Sequence, residues 1–150
     1  MKKAIALGVI MSFLVCGLAP AAEKATSAEA EAFVKRAVAF FQENGKEKAF
    51  AEFSKPGGKF NDRELYIYVY DMSGKCLAHG LNQKMIGKDL IDIKDPDGKE
   101  FNRELIETAK TKGKGWVTFK FTNPLTKKIQ DKLGYVEKAQ DVVIGSGIYK

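Results

Sequence analysis

The single histidine of the chain, His79, is the first candidate for chemistry. It lies near the end of the segment YIYVYDMSGKCLAHG, residues 66 to 80. No second histidine could share a metal ion, and Cys76 is three residues away, an odd offset that turns two strand side chains to opposite faces. A metal site and a cysteine–histidine nucleophilic pair are therefore both disfavoured. Two roles remain for His79, a hydrogen-bonded structural residue or a contact to a bound small molecule.

Tyrosines alternate along the same segment. Tyr66, Tyr68 and Tyr70 share one face of the predicted strand, and apolar side chains occupy the other. A strand buried on both sides would explain this pattern. However, three neighbouring phenol hydroxyls each need a hydrogen-bond partner or water, and a ligand pocket would supply both.

A lysine further along the chain is the next candidate. Lys132 stands near the start of a predicted strand, in QDKLGYVEK, and Tyr135 follows three residues later. A single lysine is normally a solvated surface residue, but inside a cavity it would bind a carboxylate by a charge-assisted hydrogen bond. A regular strand turns these two side chains to opposite faces, so a site that uses both needs Lys132 before the ladder or at a bulge.

Acidic residues before the second helix match a calcium loop poorly. With Gly98 at loop position 6, Asp95 and Asp97 would fill positions 3 and 5, but Ile93 would take position 1 and Pro96 would stiffen the middle. The segment is better explained as a turn that leads into a helix. We therefore expect no metal ion and no cofactor.

The elements that must position these residues begin with a long helix over residues 22 to 54. Thr26 and Glu29 form a predicted capping box. An apolar stripe with helical spacing follows at Ala30, Phe33, Val34, Ala37, Val38 and Phe41. Asn44-Gly45 is expected to end this part, and a shorter helical piece is predicted over residues 46 to 53.

Downstream of the helix the apolar period changes to two. Strands are predicted at residues 65–70, 75–79, 116–122, 129–138 and 142–149. A short helix at 100–110 lies between strands 2 and 3, and the last three strands read as a meander. The fold class is therefore α+β, an antiparallel sheet of about five strands with its helices mostly on one face. Phe119 and Phe121 are expected to face inward, and Trp116 to be partly exposed or under a helix.

The N-terminal residues 1–21 predict a signal peptide. Lys2 and Lys3 precede an apolar stretch over residues 4–18, and Ala19-Pro20-Ala21 offers a cleavage site. Cleavage after residue 21 would leave one domain over 22–150, in the periplasm or secreted; retention as an uncleaved anchor stays open. Lipidation of Cys16 is disfavoured because bulky Val15 precedes it.

Charge and cysteine content exclude other classes. The net charge is +6, and loss of two lysines with the signal peptide lowers it to +4. Basic and acidic residues alternate along the chain without the basic blocks of a nucleic-acid binder, so we expect no nucleic-acid partner. Cys76 would be the one cysteine left after cleavage, which rules out an intrachain disulfide.

Five sequence blocks, in order, resemble a single Cache domain of the bacterial extracytoplasmic sensor type. They are ELYIYVYDMSGKCLAHG, MIGKDLIDIKDPDGK, GKGWVTFKFTNP, DKLGYVEK and DVVIGSGIYK. The resemblance covers about residues 30 to 150. It implies a PAS-like antiparallel sheet crossed by a long N-terminal helix. It also implies a pocket for small organic molecules, often short carboxylates such as acetate, propionate, lactate or pyruvate.

The resemblance also implies which residues line that pocket. Carried over by position, they are Tyr68, His79, Phe119, Phe121, Lys132 and Tyr135. Lys132 would pair with the carboxylate, His79 and Tyr135 would orient it, and the aromatic side chains would exclude water. The chain departs from the family pattern at Phe121, where tryptophan is common, and at Asp131, where proline is usual.

These observations predict a sensory module that binds a small organic acid and acts through another protein, such as a membrane receptor or transporter. An enzyme is disfavoured, because the sequence offers no two or three groups that would converge for catalysis. The alternative is a ligand-free protein-interaction module on the same scaffold. Bulky hydrophobic filling of the pocket, or a missing carboxylate partner, would favour that alternative. A homodimer through the N-terminal helix also remains open, because Phe40 lies at the edge of the apolar stripe.

Overall fold

The computed structural model describes Gly17 and residues 23–150. The predicted signal peptide, apart from Gly17, lies outside the described residues, as does Cys16. In the described part of the chain, no helix combines the length and the apolar character that a membrane crossing requires.

The first helix, α1 (Ser27–Phe53), begins at the predicted capping box. The Glu29 amide donates to Thr26 Oγ1 at 3.2 Å, and the Thr26 amide donates to Glu29 Oε2 at 2.7 Å. Within α1, Gly45 adopts φ 77° and ψ 172°, so the helix is interrupted where the sequence predicted an end. Glycine suits this position because side chains disfavour positive φ.

Seven strands follow, two in a small hairpin and five in the main sheet. The hairpin pairs β1 (Asn61–Asp62) with β2 (Leu65–Tyr66). The main sheet contains β3 (Tyr68–Asp71), β4 (Cys76–His79), β5 (Lys114–Thr122), β6 (Ile129–Ala139) and β7 (Val142–Tyr149). All its pairs are antiparallel, in the order β4-β3-β7-β6-β5. The predicted fold class and meander are confirmed, although the predicted first strand is divided at Ile67.

The second helix, α2 (Phe101–Lys112), lies between β4 and β5 in the chain. It ends at Gly113, whose φ of 78° gives the left-handed C-terminal conformation that glycine accepts most easily. A single 3-10 turn, Gln83–Met85, interrupts the connection from β4 to α2.

The two helices cover opposite faces of the sheet, so the expectation that helices lie mostly on one face is wrong. α1 packs against the face that carries Leu65, Ile67 and Val69. α2 packs against the face that carries the tyrosines of β2 and β3. Because successive strand residues point to opposite faces, a strand that is apolar at every position needs cover on both sides. Trp116 is half-buried on the α1 side, within the predicted range.

Candidate functional site

A small cavity lies between α2 and the sheet. Its lining is mostly aromatic and comprises Tyr66, Tyr68, Tyr70, His79, Phe101, Asn102, Leu105, Phe119, Phe121 and Lys132. The cavity volume is about 10 Å³, close to the minimum that one water molecule occupies. An organic acid can therefore enter only if the surrounding side chains move apart.

Two glycines make room for the aromatic rings of this cavity. A Cβ at Gly145 of β7 would lie 2.4 Å from Tyr68 Cε2, and one at Gly134 of β6 would lie 2.8 Å from Phe119 Cε1. Such separations are too short for real side chains. The rings of Tyr68 and Phe119 thus lie directly on the backbone of the sheet.

Lys132 is the buried cation of the site. Only 1% of the residue is exposed, and its Nζ donates to Tyr66 Oη at 2.8 Å. Burial lowers the pKa of Lys132 from its usual value of 10.5 to about 7. Within residues 23–150, no carboxylate forms an ion pair with it.

Four aromatic rings surround the Lys132 ammonium group. Its Nζ lies 4.2 Å from the ring centre of Tyr66, 5.0 Å from Tyr149, 5.3 Å from Tyr68 and 5.5 Å from Phe121. The negative faces of such rings attract a cation. They partly replace the hydration that Lys132 loses on burial.

His79 presents a hydrogen-bond donor. Its Nδ1 accepts from the amides of Leu81 at 3.2 Å and Asn82 at 3.0 Å. Burial first, and the charge of Lys132 second, lower the pKa of His79 from 6.5 to about 4. The ring is therefore neutral near pH 7, and because Nδ1 is an acceptor, the proton must be on Nε2.

Cys76 provides no activated nucleophile. Burial raises the pKa of its thiol to about 11, and the thiol donates to the Ala78 carbonyl. The expectation that Cys76 and His79 face opposite sides is wrong. Tyr68 pairs with His79 while Tyr70 pairs with Cys76, so β4 carries an extra residue, and this bulge returns both side chains to one face.

Five of the six predicted site residues meet around the cavity, namely Tyr68, His79, Phe119, Phe121 and Lys132. Tyr135 does not. It lies on the α1 face, with its ring 4.8 Å from Trp116, and its hydroxyl donates to Glu137 Oε1 at 2.6 Å. The pairing of β6 with β5 is regular from Lys132 to Tyr135, so no bulge brings them to one face. The expected orienting role of Tyr135 is corrected accordingly.

Sequence reasoning missed several lining residues. Tyr66 shares a face with Tyr68, and this alternation could have identified it. Phe101, Asn102 and Leu105 come from α2, and no sequence signal shows which sheet face that helix covers. The Asn102 side chain donates to the Leu90 carbonyl at 2.9 Å, while its Oδ1 is buried without a partner.

A larger groove of about 480 Å³ adjoins the cavity. Its lining is Tyr66, His79, Leu81, Asn82, Met85, Phe121, Thr122, Pro124 and Lys127. The residues shared with the cavity are Tyr66, His79 and Phe121. The groove is thus the outer neighbour of the site, bounded by the β4–α2 connection and the β5–β6 loop.

Comparison with known proteins connects this chain to sensor domains. The family model described as "Single Cache domain 2" matches residues 21–150. A Cache chemosensory domain solved for its carboxylic acid recognition has 27% identity and a TM-score of 0.71, with 82% of this chain and 92% of that chain covered. A methyl-accepting chemotaxis protein from Vibrio parahaemolyticus has 25% identity and a TM-score of 0.70, with 81% and 86% covered.

Curated relatives are much longer than this chain. The sensor histidine kinase MctS of Rhizobium johnstonii is 37% identical over 89 residues, which is 58% of this chain and 19% of the kinase. The chemotaxis protein McpP of Pseudomonas putida is 30% identical over 90 residues, 59% of this chain and 16% of that protein. In both, the match spans less than a fifth of the relative.

Proposed function

The chain belongs to the single Cache domain 2 family, and on this basis we propose that it binds a small organic carboxylate between α2 and the sheet. It is a sensor domain homologous to regions of sensor kinases and chemoreceptors. We further propose that it works outside the cytoplasm, delivered by the predicted signal peptide. There it would pass information or ligand to a separate membrane receptor or transporter.

The observation that carries the proposal is the buried ammonium group of Lys132, which pairs with no carboxylate among residues 23–150. An ammonium group without a counter-ion is unfavourable in a buried site. A ligand carboxylate would supply the missing charge and accept a charge-assisted hydrogen bond from Nζ. The Nε2–H of His79 is a second donor from the same wall of the cavity. The solved Cache domain with carboxylic acid recognition supports the same ligand class.

Each group has a distinct task in this proposal. Lys132 neutralises the carboxylate, and His79 orients it as a fixed neutral donor. Tyr68 and Phe119, held against β6 and β7, exclude water and so strengthen the electrostatic attraction. No step makes or breaks a covalent bond, in keeping with a binding module.

The experiment is a thermal-shift panel of carboxylates with two to four carbons, together with amino acids. A ligand at 100 times its dissociation constant adds about 2.7 kcal/mol to the free energy of unfolding. We expect at least one carboxylate to raise Tm in the wild type but not in Lys132→Met. The matched control is Lys138→Met, since Lys138 is an exposed lysine of the same strand and its loss should leave the shift intact.

The 10 Å³ cavity favours a second candidate, a ligand-free interaction module. Aromatic side chains already occupy most of the space between α2 and the sheet. If no carboxylate shifts Tm at millimolar concentration, this candidate becomes the better account. The partner protein would then bind a surface of the domain, and no ligand would control that interaction.

Homodimerisation through α1 is a further part of the proposal. Phe40 is half-buried, with its ring 5.4 Å from that of Phe60 and the Lys59 ammonium 3.8 Å above it. Much of this ring is therefore packed within its own chain. Sedimentation velocity tests the point: a dimer that Phe40→Ser converts to monomer supports it, and a monomeric wild type excludes it.

A further inference from the structure

The two spaces on the ligand side of the sheet differ greatly in size. The inner cavity measures about 10 Å³ and the outer groove about 480 Å³. The inner space holds no more than a water molecule without rearrangement, whereas the groove lies in the volume range of small-molecule sites. Most of the room for a ligand is therefore in the groove.

The groove is continuous with the donor groups of the site. Tyr66, His79 and Phe121 line both spaces. Tyr66 Oη is the hydrogen-bond partner of the Lys132 ammonium. His79 is fixed by the amides of Leu81 and Asn82, which themselves line the groove. A carboxylate at this boundary would lie against His79 and beside the Tyr66 hydroxyl that accepts from the Lys132 ammonium group.

The outer part of the groove has one apolar and one polar set of side chains, and the polar set is Asn82, Thr122 and Lys127. The apolar set is Leu81, Met85 and Pro124, beside the ring of Phe121. Leu81 is 45% exposed, so it retains apolar area that a ligand could remove from water. Donors at the inner end and this apolar set outside match an amphipathic acid with its head inward and its hydrocarbon chain against the apolar side chains.

We propose that this groove is a second compartment of the ligand site, which takes the hydrocarbon tail of a medium-chain linear carboxylate. The carboxylate lies at the inner end of the groove, where it accepts hydrogen bonds from the Lys132 ammonium group and from His79 Nε2, beside the hydroxyl of Tyr66. The tail lies along Leu81, Met85 and Pro124. This inference rests on the proposed carboxylate binding and adds the length of the preferred acid.

The test is calorimetric titration of the purified protein with acetate, butyrate, hexanoate and octanoate. Each methylene buried against apolar walls contributes about 0.8 kcal/mol, which tightens Kd about fourfold. We expect about a fifteenfold gain from butyrate to hexanoate. Hexanol, which has the tail without the carboxylate, is expected to bind far more weakly than hexanoate.

A pair of leucine variants assigns the gain to the groove. Leu81→Asn is expected to remove most of the gain from butyrate to hexanoate, because it replaces an apolar wall of the groove by a polar side chain. Leu125→Asn is the matched control, because Leu125 is 55% exposed in the neighbouring loop and does not line the groove. Both side chains are exposed, so neither change should prevent folding.

Different failures have different meanings. If short acids bind and affinity does not rise with chain length, the groove assignment is overturned while the proposed function stands. An unchanged gain in Leu81→Asn, or hexanol binding as tightly as hexanoate, also overturns the assignment. If no acid of any length binds, the proposed function itself fails.

Discussion

At the scale of single residues, Lys132 and His79 form one electrostatic unit. Burial disfavours the charged form of each, and the charge of Lys132 further disfavours a charged His79. The aromatic rings around Lys132 act in the opposite direction, because they favour its cation. The site therefore holds one group that changes charge near neutral pH and one that stays neutral there.

The pKa of Lys132 gives a prediction for stability. It is about 7 in the folded protein against a usual 10.5, so between these values the unfolded chain binds the extra proton. Linkage then requires the free energy of unfolding to rise with pH across this window. Lys132→Met removes the titrating amine. The free energy of unfolding of this variant should therefore exceed that of wild type by the largest amount below pH 7. This excess should shrink by about 1.4 kcal/mol per pH unit above it.

Urea denaturation at half-unit steps from pH 6 to pH 9.5 measures this difference. Subtraction of the two curves cancels titrations common to both proteins, including those of the buried tyrosines. Lys138→Met, at an exposed position, should show a pH-independent difference from wild type. If the difference between Lys132→Met and wild type is also independent of pH, Lys132 keeps an ordinary pKa in the folded state.

At the scale of elements, local patterns and the antiparallel meander of the last three strands were predictable, whereas the sheet faces on which side chains and helices meet were not. The Thr26–Glu29 capping box and the interruption at Gly45 depend on neighbours in sequence, and both were predicted correctly. Cys76 and His79 share a face because β4 contains a bulge, and no residue type in this strand predicts that bulge. Asn102 lines the cavity only because α2 packs against that face of the sheet, and this packing is set by tertiary contacts and not by the local sequence.

The central strand β7 gives a prediction at this scale. Gly145→Ala would place a Cβ 2.4 Å from the ring of Tyr68, and overpacking of this kind costs about 1 to 3 kcal/mol. We expect that loss in urea denaturation, together with weaker carboxylate binding as Tyr68 is displaced. Because Tyr68 lines the cavity, this substitution tests both the packing of its ring on β7 and its role in carboxylate binding.

Ser146→Ala is the control one residue away. Ser146 is fully buried and pairs with Tyr135 on the α1 face, and its Oγ has no hydrogen-bond partner in the described part of the chain. Removal of an unsatisfied buried hydroxyl should be neutral or stabilising. A Gly145→Ala protein as stable as wild type would show that Tyr68 can move without loss, and that the ring is not fixed by β7.

At the scale of the whole molecule, the sheet separates two differently packed layers. α1 covers one face with a phenylalanine-rich core, and α2 covers the other beside the cavity and groove. A ligand between α2 and the sheet makes no direct contact with α1. An effect on α1, or on a partner bound to it, can pass through β6 and β7, the strands that α1 contacts most extensively. It can also pass through Ser54 at the C-terminal end of α1, which accepts hydrogen bonds from the His79 amide and the Gln83 side chain.

Hydrogen exchange tests this separation of layers. With the carboxylate that gives the largest thermal shift, at 100 times its Kd, openings that destroy the site become about 100-fold rarer. Amides of α2 and of residues 80–86 and 122–127 should therefore slow by up to that factor. Amides near the N-terminus of α1 that exchange by local fraying should keep their rates, because fraying at that end leaves the site intact. Slowing of α1 fraying alone would place the ligand on the opposite face and contradict a site between α2 and the sheet.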